Sequence, residues 1–292
     1  MNALAKNTVA DPEREFKMGN GEFQAIAKAI YKHAGIVIDS SKRELVYSRM
    51  SRRLRALSLS DFSSYLSILE GAQGKSEIKH LINTLTTNHT RFFREPHHFQ
   101  YMQETIIPYW KKRAEKTGNK RLRIWCAASS TGEEPYTLAM VIANGLKGSV
   151  QWDWKILATD IDTSVLAAAK KGIYENKALE EIPKDYRRSY INKLGDGQFE
   201  IKPELKRHLT FNRLNLHGAW PIKTSFDMIF CRNVFIYFDL PSKQLLVDRF
   251  SEVLSEEGWF FLGHSESILV ENSPFKLVGR TIYEPSNVVR RL

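Results

Sequence analysis

The stretch CAASSTGEEPYTLAM, residues 126–140, reads as the end of a buried strand, a tight turn and the start of a helix. In open α/β sheets that first turn is where helix amides cradle a phosphate. Here it holds one glycine, Gly132, in place of the G-x-G-x-x-G of dinucleotide sites, and it lacks the G-K-[ST] of a P-loop. Glu133 and Glu134 open the helix, and carboxylates repel phosphate. They suit a cationic or hydroxyl-rich ligand, while each taken alone would also complement the positive end of the helix dipole.

Outward from this stretch toward the C-terminus, short apolar runs alternate with helical patterns, which predicts a mostly parallel sheet. Strands are expected at 121–127 (RLRIWCA), 154–160 (WKILATD), 208–215 (HLTFNRLN), 226–233 (FDMIFCRN), 258–264 (GWFFLGH) and 278–285 (VGRTIYEP). Helices fit at 133–146, 164–171 and 242–255. The charged segment 177–207 reads as an inserted subdomain, a helix followed by a small hairpin turning at LGDG. Ligands of such sheets bind beyond the carboxyl ends of the strands. Asp160 ends the second strand, where it can accept from ribose hydroxyls or simply form a turn before the next helix. A ribose acceptor, two acids and no phosphate cradle describe a nucleoside carrying positive charge, and S-adenosylmethionine has that chemistry.

Toward the N-terminus the period becomes helical: Phe23, Ile26, Ala27 and Ile30, then Phe62, Tyr65, Leu66 and Leu69, then Ile78, Leu81, Ile82 and Leu85. Gly35 and Gly71 stand where helices would end, and Ser41 with Glu44 has the pattern of a capping box opening a helix over about 41–57. The expected organisation is a disordered tail over 1–17, a helical domain over 18–88 and an α/β domain over 89–292.

At 292 residues and 42% hydrophobic, the chain can bury one sizeable core and a small second domain. No stretch approaches the roughly 18 apolar residues of a membrane span. The expectation is a cytoplasmic protein without membrane insertion, and nothing demands more than a monomer. Cys126 and Cys231 both fall at strand ends and read as small buried hydrophobes. Lys plus Arg number 43 against 33 acids, a net charge of +10 that favours an acidic partner.

Several other chemistries fail on pattern. His97 and His98 are adjacent and lack spaced carboxylates, so no metal site is expected. His264, Ser265 and Glu266 are consecutive, without G-x-S-x-G, and cannot supply triad geometry. A nucleic-acid methyltransferase would suit the charge, but CRNVFIYF lacks the [DN]-P-P-[YF] of amino-directed enzymes. A regulator that only binds the nucleoside is the other alternative.

TTNHTRFFREPHHF (86–99), AASSTGEEPY (127–136), ATDID (158–162), FCRNVFIYFD (230–239) and GHSES (263–267) together resemble, in order, the motif set of the chemotaxis receptor methyltransferases, the CheR family. The resemblance runs from about residue 20 to the end. It implies a Rossmann-like α/β sheet behind a helical N-terminal domain. The implied activity is S-adenosylmethionine-dependent methylation of glutamates on chemoreceptor cytoplasmic helices, giving glutamyl methyl esters and S-adenosylhomocysteine. The implied cofactor contacts are Asn88, Thr90, Arg94, Glu134, Asp160, Asn215, Leu216, Arg232 and Asn233, with Arg94 and Tyr237 at the reacting groups. Intact, these argue against the regulator.

The basic segment SKRELVYSRMSRRLRA (41–56) gathers Arg49, Arg52 and Arg53 on one side of a helix. A solvated surface is its plain reading. In the family this domain helps recognise the receptor, so these three are candidate receptor contacts. In some members the inserted hairpin docks a receptor-tail pentapeptide by strand addition. The turn LGDG is shorter here, so docking is expected to be pentapeptide-independent.

Overall fold

The structure is a computed structural model that describes residues 14–149, 151–268 and 273–289. The chain forms two compact units: a helical one ending at Leu85, and a second from Thr86 onward that also includes Ala34–Val37.

In the helical unit, α1 (Asn20–Ala34) buries Phe23, Ile26 and Ile30, the spacing of a single helix face, and ends at Gly35 in the left-handed conformation, φ 70°. Next come α2 (Arg43–Ala56), α3 (Phe62–Glu70) and α4 (Gly74–Leu85). The expected capping box does not form. Asp39 sits two residues earlier in an extended conformation and accepts from the Ser41 amide (2.8 Å) and hydroxyl, capping a 3₁₀ turn over Ser40–Lys42 that leads into α2. Ser41 lies inside that turn, and Glu44 pairs instead with Arg14 (2.9 Å). Asp61 caps α3 on the Ser64 amide (2.7 Å), and Gly71 follows it in an extended rather than left-handed conformation. Of the expected tail, residues 1–13 lie outside the described residues. The chain is packed before residue 18: Phe16 is buried with its amide on the Tyr47 hydroxyl (3.3 Å), and Glu15 pairs with Arg55 (2.9 Å).

The second unit opens with α5 (Pro96–Tyr101) and α6 (Ile107–Thr117), then alternates: β1 (Arg121–Ala127), α7 (Glu133–Gly145), β2 (Asp153–Asp160), α8 (Thr163–Lys171). The insertion follows, then β6 (Leu209–Arg213), β7 (Phe226–Phe230), α11 (Leu240–Val253), β8 (Leu254–Phe261), β9 (Phe275–Gly279) and β10 (Ile282–Pro285). Within the insertion are β3 (Ile173–Glu175), α9 (Lys184–Tyr190), β4 (Ile191–Lys193), β5 (Gln198–Ile201) and α10 (Pro203–Lys206). The large sheet runs β6-β2-β1-β7-β8-β10-β9, with the first five strands parallel and the last two an antiparallel hairpin. This is the doubly wound α/β sheet expected.

Both faces of the sheet are covered, which is why its strands are nearly continuous apolar runs. Ile124 and Cys126 face a core containing Trp110, Met140, Phe230 and Phe261, while Trp125 and Ala127 face one with Ile229, Phe250 and Phe260. Both cysteines are free and fully buried.

Two elements differ from the sequence reading. The run 278–285 is not one strand: it turns at Arg280 and Thr281, with Thr281 left-handed (φ 56°), between β9 and β10. The insertion is a three-stranded antiparallel sheet, order β3-β5-β4, because Ile173–Glu175 pairs with β5 on the side opposite β4.

Candidate active site

Because β6, β2, β1, β7 and β8 are parallel, the loops after them share one edge of the sheet. The chain order reverses between β1 and β7, and the crevice at such a point is where this architecture binds ligands.

The loop after β1 is wound tightly. Ala128 (φ 62°) and Ser130 (φ 48°) are left-handed, and α7 begins after Gly132. Asp160, at the end of β2, holds this loop: its oxygens accept the amides of Ser130 (2.8 Å) and Asp162 (2.9 Å). Asp160 is buried, and burial pushes its carboxyl up to about 6. Asp162 extends the assembly, accepting from Asn88 Nδ2 (2.7 Å) and Thr86 Oγ1 (3.2 Å) while capping α8 through the Ser164 amide (2.8 Å). Asn88 also accepts from the Ser130 hydroxyl through its carbonyl (2.9 Å), so the TTNHT segment is tied to the β1 and β2 loops at two points. Thr90 is half-buried in that segment.

A second network centres on Arg232, just after β7, whose side chain is 1% exposed. Its Nη1 donates to Glu134 Oε2 (2.7 Å) and its Nη2 to the Arg94 carbonyl (2.7 Å), while Nη2 also lies 3.1 Å from Glu95 Oε2. Glu134 accepts from the Cys126 thiol as well (3.2 Å), and burial raises its pKa. Glu95 carries His264 Nδ1 on its other oxygen (2.9 Å). Burial pushes the Glu95 carboxyl up, but Arg232 and His264 outweigh it and hold it at about 2. A cation of the protein thus sits between two acids at the crevice.

Asn233 is left-handed (φ 58°), and its amide donates to Glu266 Oε2 (2.8 Å), a buried carboxylate that also takes the amides of Gly263 (2.6 Å) and Ile236 (3.3 Å). A Cβ at position 263 would fall 2.4 Å from Asn233 Nδ2, so only glycine lets these two loops approach. Tyr237 closes the 3₁₀ turn that follows, half-buried, with its carbonyl accepting from the Val37 amide (2.9 Å). Arg94 is half-buried and donates from Nη1 to the His89 carbonyl (2.9 Å). After β6, Asn215 caps a turn on the His217 amide (3.0 Å), and Leu216 is buried.

Five of the eight left-handed non-glycine residues among those described (Phe93, Glu95, Ala128, Ser130 and Asn233) lie in these loops. Each such conformation costs about 1–3 kcal/mol and persists only where its surroundings hold it, a pattern that concentrates at ligand sites. The Ser129 hydroxyl, within the β1 loop, is buried without a hydrogen-bond partner. Asp160 keeps acceptor capacity beyond its two amide bonds, since a carboxylate offers about four lone-pair sites. These features fit a nucleoside with ribose hydroxyls and a cationic group, as S-adenosylmethionine has.

Three residues of the network escape the sequence reading as site members: Glu95, Asp162 and Glu266. Glu95 and Glu266 act on partners far along the chain. Asp162 was legible only as a helix cap. His97, His98 and Glu95 do bring ligand-capable atoms within 4.8 Å of one another. Arg232 already supplies the positive charge at Glu95, and a metal ion there would face it.

The basic helix divides its three candidate receptor contacts. Arg53 is bidentate with the buried Glu77 of α4 (2.8 and 2.5 Å), and Arg49 donates to the Leu85 carbonyl at the end of α4 (2.9 Å). Of the three arginines grouped on sequence, only Arg52 is exposed. α2 needs the other two to hold α4, because their stems lie along the packed side of the helix.

Residues 88–284 match the family model described as CheR methyltransferase, SAM binding domain, and residues 21–86 the model for its all-alpha domain. The chain is 40% identical over 270 residues to the chemotaxis protein methyltransferase of Escherichia coli, covering 91% of each chain. It is 40% identical to chemotaxis protein methyltransferase 2 of Pseudomonas aeruginosa, covering 94% of this chain and 96% of that one. With the probable chemotaxis protein methyltransferase of Rhizobium etli it shares 41% over 258 residues, or 87% and 96% of the two chains. The strand-end loops, the acids they carry and these matches agree that the chain belongs to the CheR methyltransferase family.

Proposed function

We propose that the protein methylates glutamate side chains on the cytoplasmic helices of chemoreceptors, forming glutamyl methyl esters. The observation that carries this reading is the set of acids at adjacent strand ends, Glu134 and Asp160, in a chain about 40% identical to chemotaxis methyltransferases over most of its length. S-adenosylmethionine supplies an electrophilic methyl group on sulfonium. Asp160 accepts from its ribose hydroxyls, Glu134 faces its positive end, and Asn215 and Leu216 flank its base. Arg232 has its guanidinium buried between acids, so it is a positioning residue that fixes Glu134 and the backbone of residue 94. Asn88 likewise positions the β1 and β2 loops through Asp162 and Ser130, while Thr90 lies within cofactor reach.

The acceptor asks little of the protein. A glutamate with a reference pKa of about 4.3 is ionised at neutral pH, so no general base is needed. The work is alignment and exclusion of water. Arg94 orients carboxylate groups by charge-assisted hydrogen bonding, and the Tyr237 hydroxyl orients the acceptor oxygen. Among the described residues no helix is long and apolar enough to cross a membrane. The enzyme meets the receptor at its cytoplasmic end, as a monomer, without a pentapeptide tether.

The test is transfer of labelled methyl to an isolated receptor cytoplasmic fragment, followed by mild base. Release of the label as methanol establishes carboxyl esters. Label that resists base, or an unlabelled fragment, refutes the substrate.

A further inference from the structure

We infer that an apolar pocket beside Tyr237 seats one side chain of the receptor helix whose glutamate is being methylated. This rests on the function proposed above and adds where the substrate helix lies.

Large apolar residues scattered singly over a surface mean little, but a contiguous group marks an interface. Ile236 is 53% exposed, Leu240 66% and Val37 46%. All three adjoin Tyr237. Ile236 precedes it in the same 3₁₀ turn, Val37 donates its amide to the Tyr237 carbonyl (2.9 Å), and Leu240 opens α11 three residues later. A cavity of about 230 Å³ opens between Ile236, Leu240 and Lys243, floored by the buried Phe235 and Val247.

Its size is instructive. Small-molecule sites occupy about 300–1,000 Å³, so this cavity is too small for a metabolite of ordinary size and right for one large apolar side chain. Its backbone belongs to the active-site loop, because Glu266 accepts the Asn233, Gly263 and Ile236 amides together. Whatever sits in the pocket is therefore registered against Asn233 and Tyr237. A helix meets that geometry naturally: residues three, four and seven apart share a face, about 5 or 10 Å along the axis. With the glutamate at Tyr237, an apolar residue one or two turns away enters the pocket, and Lys243 on the rim matches an acidic helix. The occupant is thus an amphipathic, glutamate-bearing helix.

The test uses Leu240→Glu and Ile236→Glu, both at exposed positions. Leu240 is at the first turn of α11, where an acid is favourable. Methylation kinetics on a receptor cytoplasmic fragment are read beside calorimetric S-adenosylhomocysteine affinity and sedimentation velocity. Each variant should raise KM for the fragment roughly tenfold, about 1.4 kcal/mol, with cofactor affinity unchanged. Replacing the apolar residue one or two turns from a methylated glutamate by Ala should raise KM similarly for the wild-type enzyme and add little in Leu240→Glu. Unchanged KM in both variants would overturn the inference while leaving the function intact. So would a wild-type dimer that Leu240→Glu dissolves, since the pocket would then serve a second copy. A fragment left unlabelled by the wild-type enzyme would remove the functional reading itself, and this inference with it.

Discussion

Arg232 and Arg53 each clamp a glutamate, Glu134 at 2.7 Å and Glu77 at 2.5 Å, yet they serve opposite ends. The Arg53 pair is closed: one cation, one carboxylate, two helices joined. Arg232 stands between two acids and a carbonyl, and its network continues to His264, which is half-exposed, and to loops wound through left-handed residues. A charge pair between helices holds a fold, whereas a charge network shared among strand-end loops holds a site open to a ligand. The lesson bears on reading basic sequences. The arginine-dense α2 reads as a binding surface, yet two of its five arginines, Arg53 and Arg55, are paired within its own unit with Glu77 and Glu15.

Breaking the two clamps should separate them. Arg232→Met leaves the buried Glu95 and the largely covered Glu134 without their cation, and a loss of about 3–5 kcal/mol in urea unfolding is expected. Arg53→Met leaves the buried Glu77 unpaired at a site where the arginine itself is partly exposed, and should cost about 1–3 kcal/mol, with unfolding of the helical unit as the readout. By the same reasoning, reversing Arg49, Arg52 and Arg53 together would unfold that unit and say nothing about receptor contact.

Titration sharpens the contrast. Asp160 is held near 6, above the roughly 3.9 of an unfolded chain, so its contribution to stability is present below about pH 4 and is lost as pH rises through 6. Binding runs the other way, because the ionised form accepts from ribose hydroxyls. S-adenosylhomocysteine affinity should be flat between pH 8 and 7 and fall as pH drops through 6; a pH-independent affinity would remove Asp160 from the site. Glu95, held near 2, has the opposite stability sign: its contribution is full above about pH 4.3 and is lost only as pH falls toward 2. The smallest effect belongs to Arg52→Glu, which should change stability by less than about 0.5 kcal/mol and lower receptor methylation modestly and salt-dependently. Methylation unchanged across salt concentrations would free α2 of any receptor role.

Much of this was legible in the residues. The alternation from Arg121 onward and the helical period before Leu85 follow from burial on known faces, and β1, β2, α7 and α8 lie within a residue or so of expectation. What was not legible depends on distant partners. Arg232 reaches the carbonyl of a residue 138 positions away, and no local pattern announces that Glu95 completes its pairing. The β9–β10 turn was hidden because Thr281, not a glycine or asparagine, takes the left-handed position. Ser41 and Glu44 matched a cap that Asp39 pre-empted. The arginines of α2 have helical spacing, but spacing alone does not show that the shared face is the one turned toward α4.

The most direct test titrates S-adenosylhomocysteine by calorimetry into wild-type protein, Asp160→Asn and Arg53→Met at pH 7.5. Asp160→Asn should lose about tenfold to a hundredfold in affinity, the worth of hydrogen bonds to a charged group. Arg53→Met should bind as the wild type does and melt lower. Unimpaired binding by Asp160→Asn, or weakened binding by Arg53→Met in its folded form, would contradict the division between a site at the strand ends and a clamp between helices.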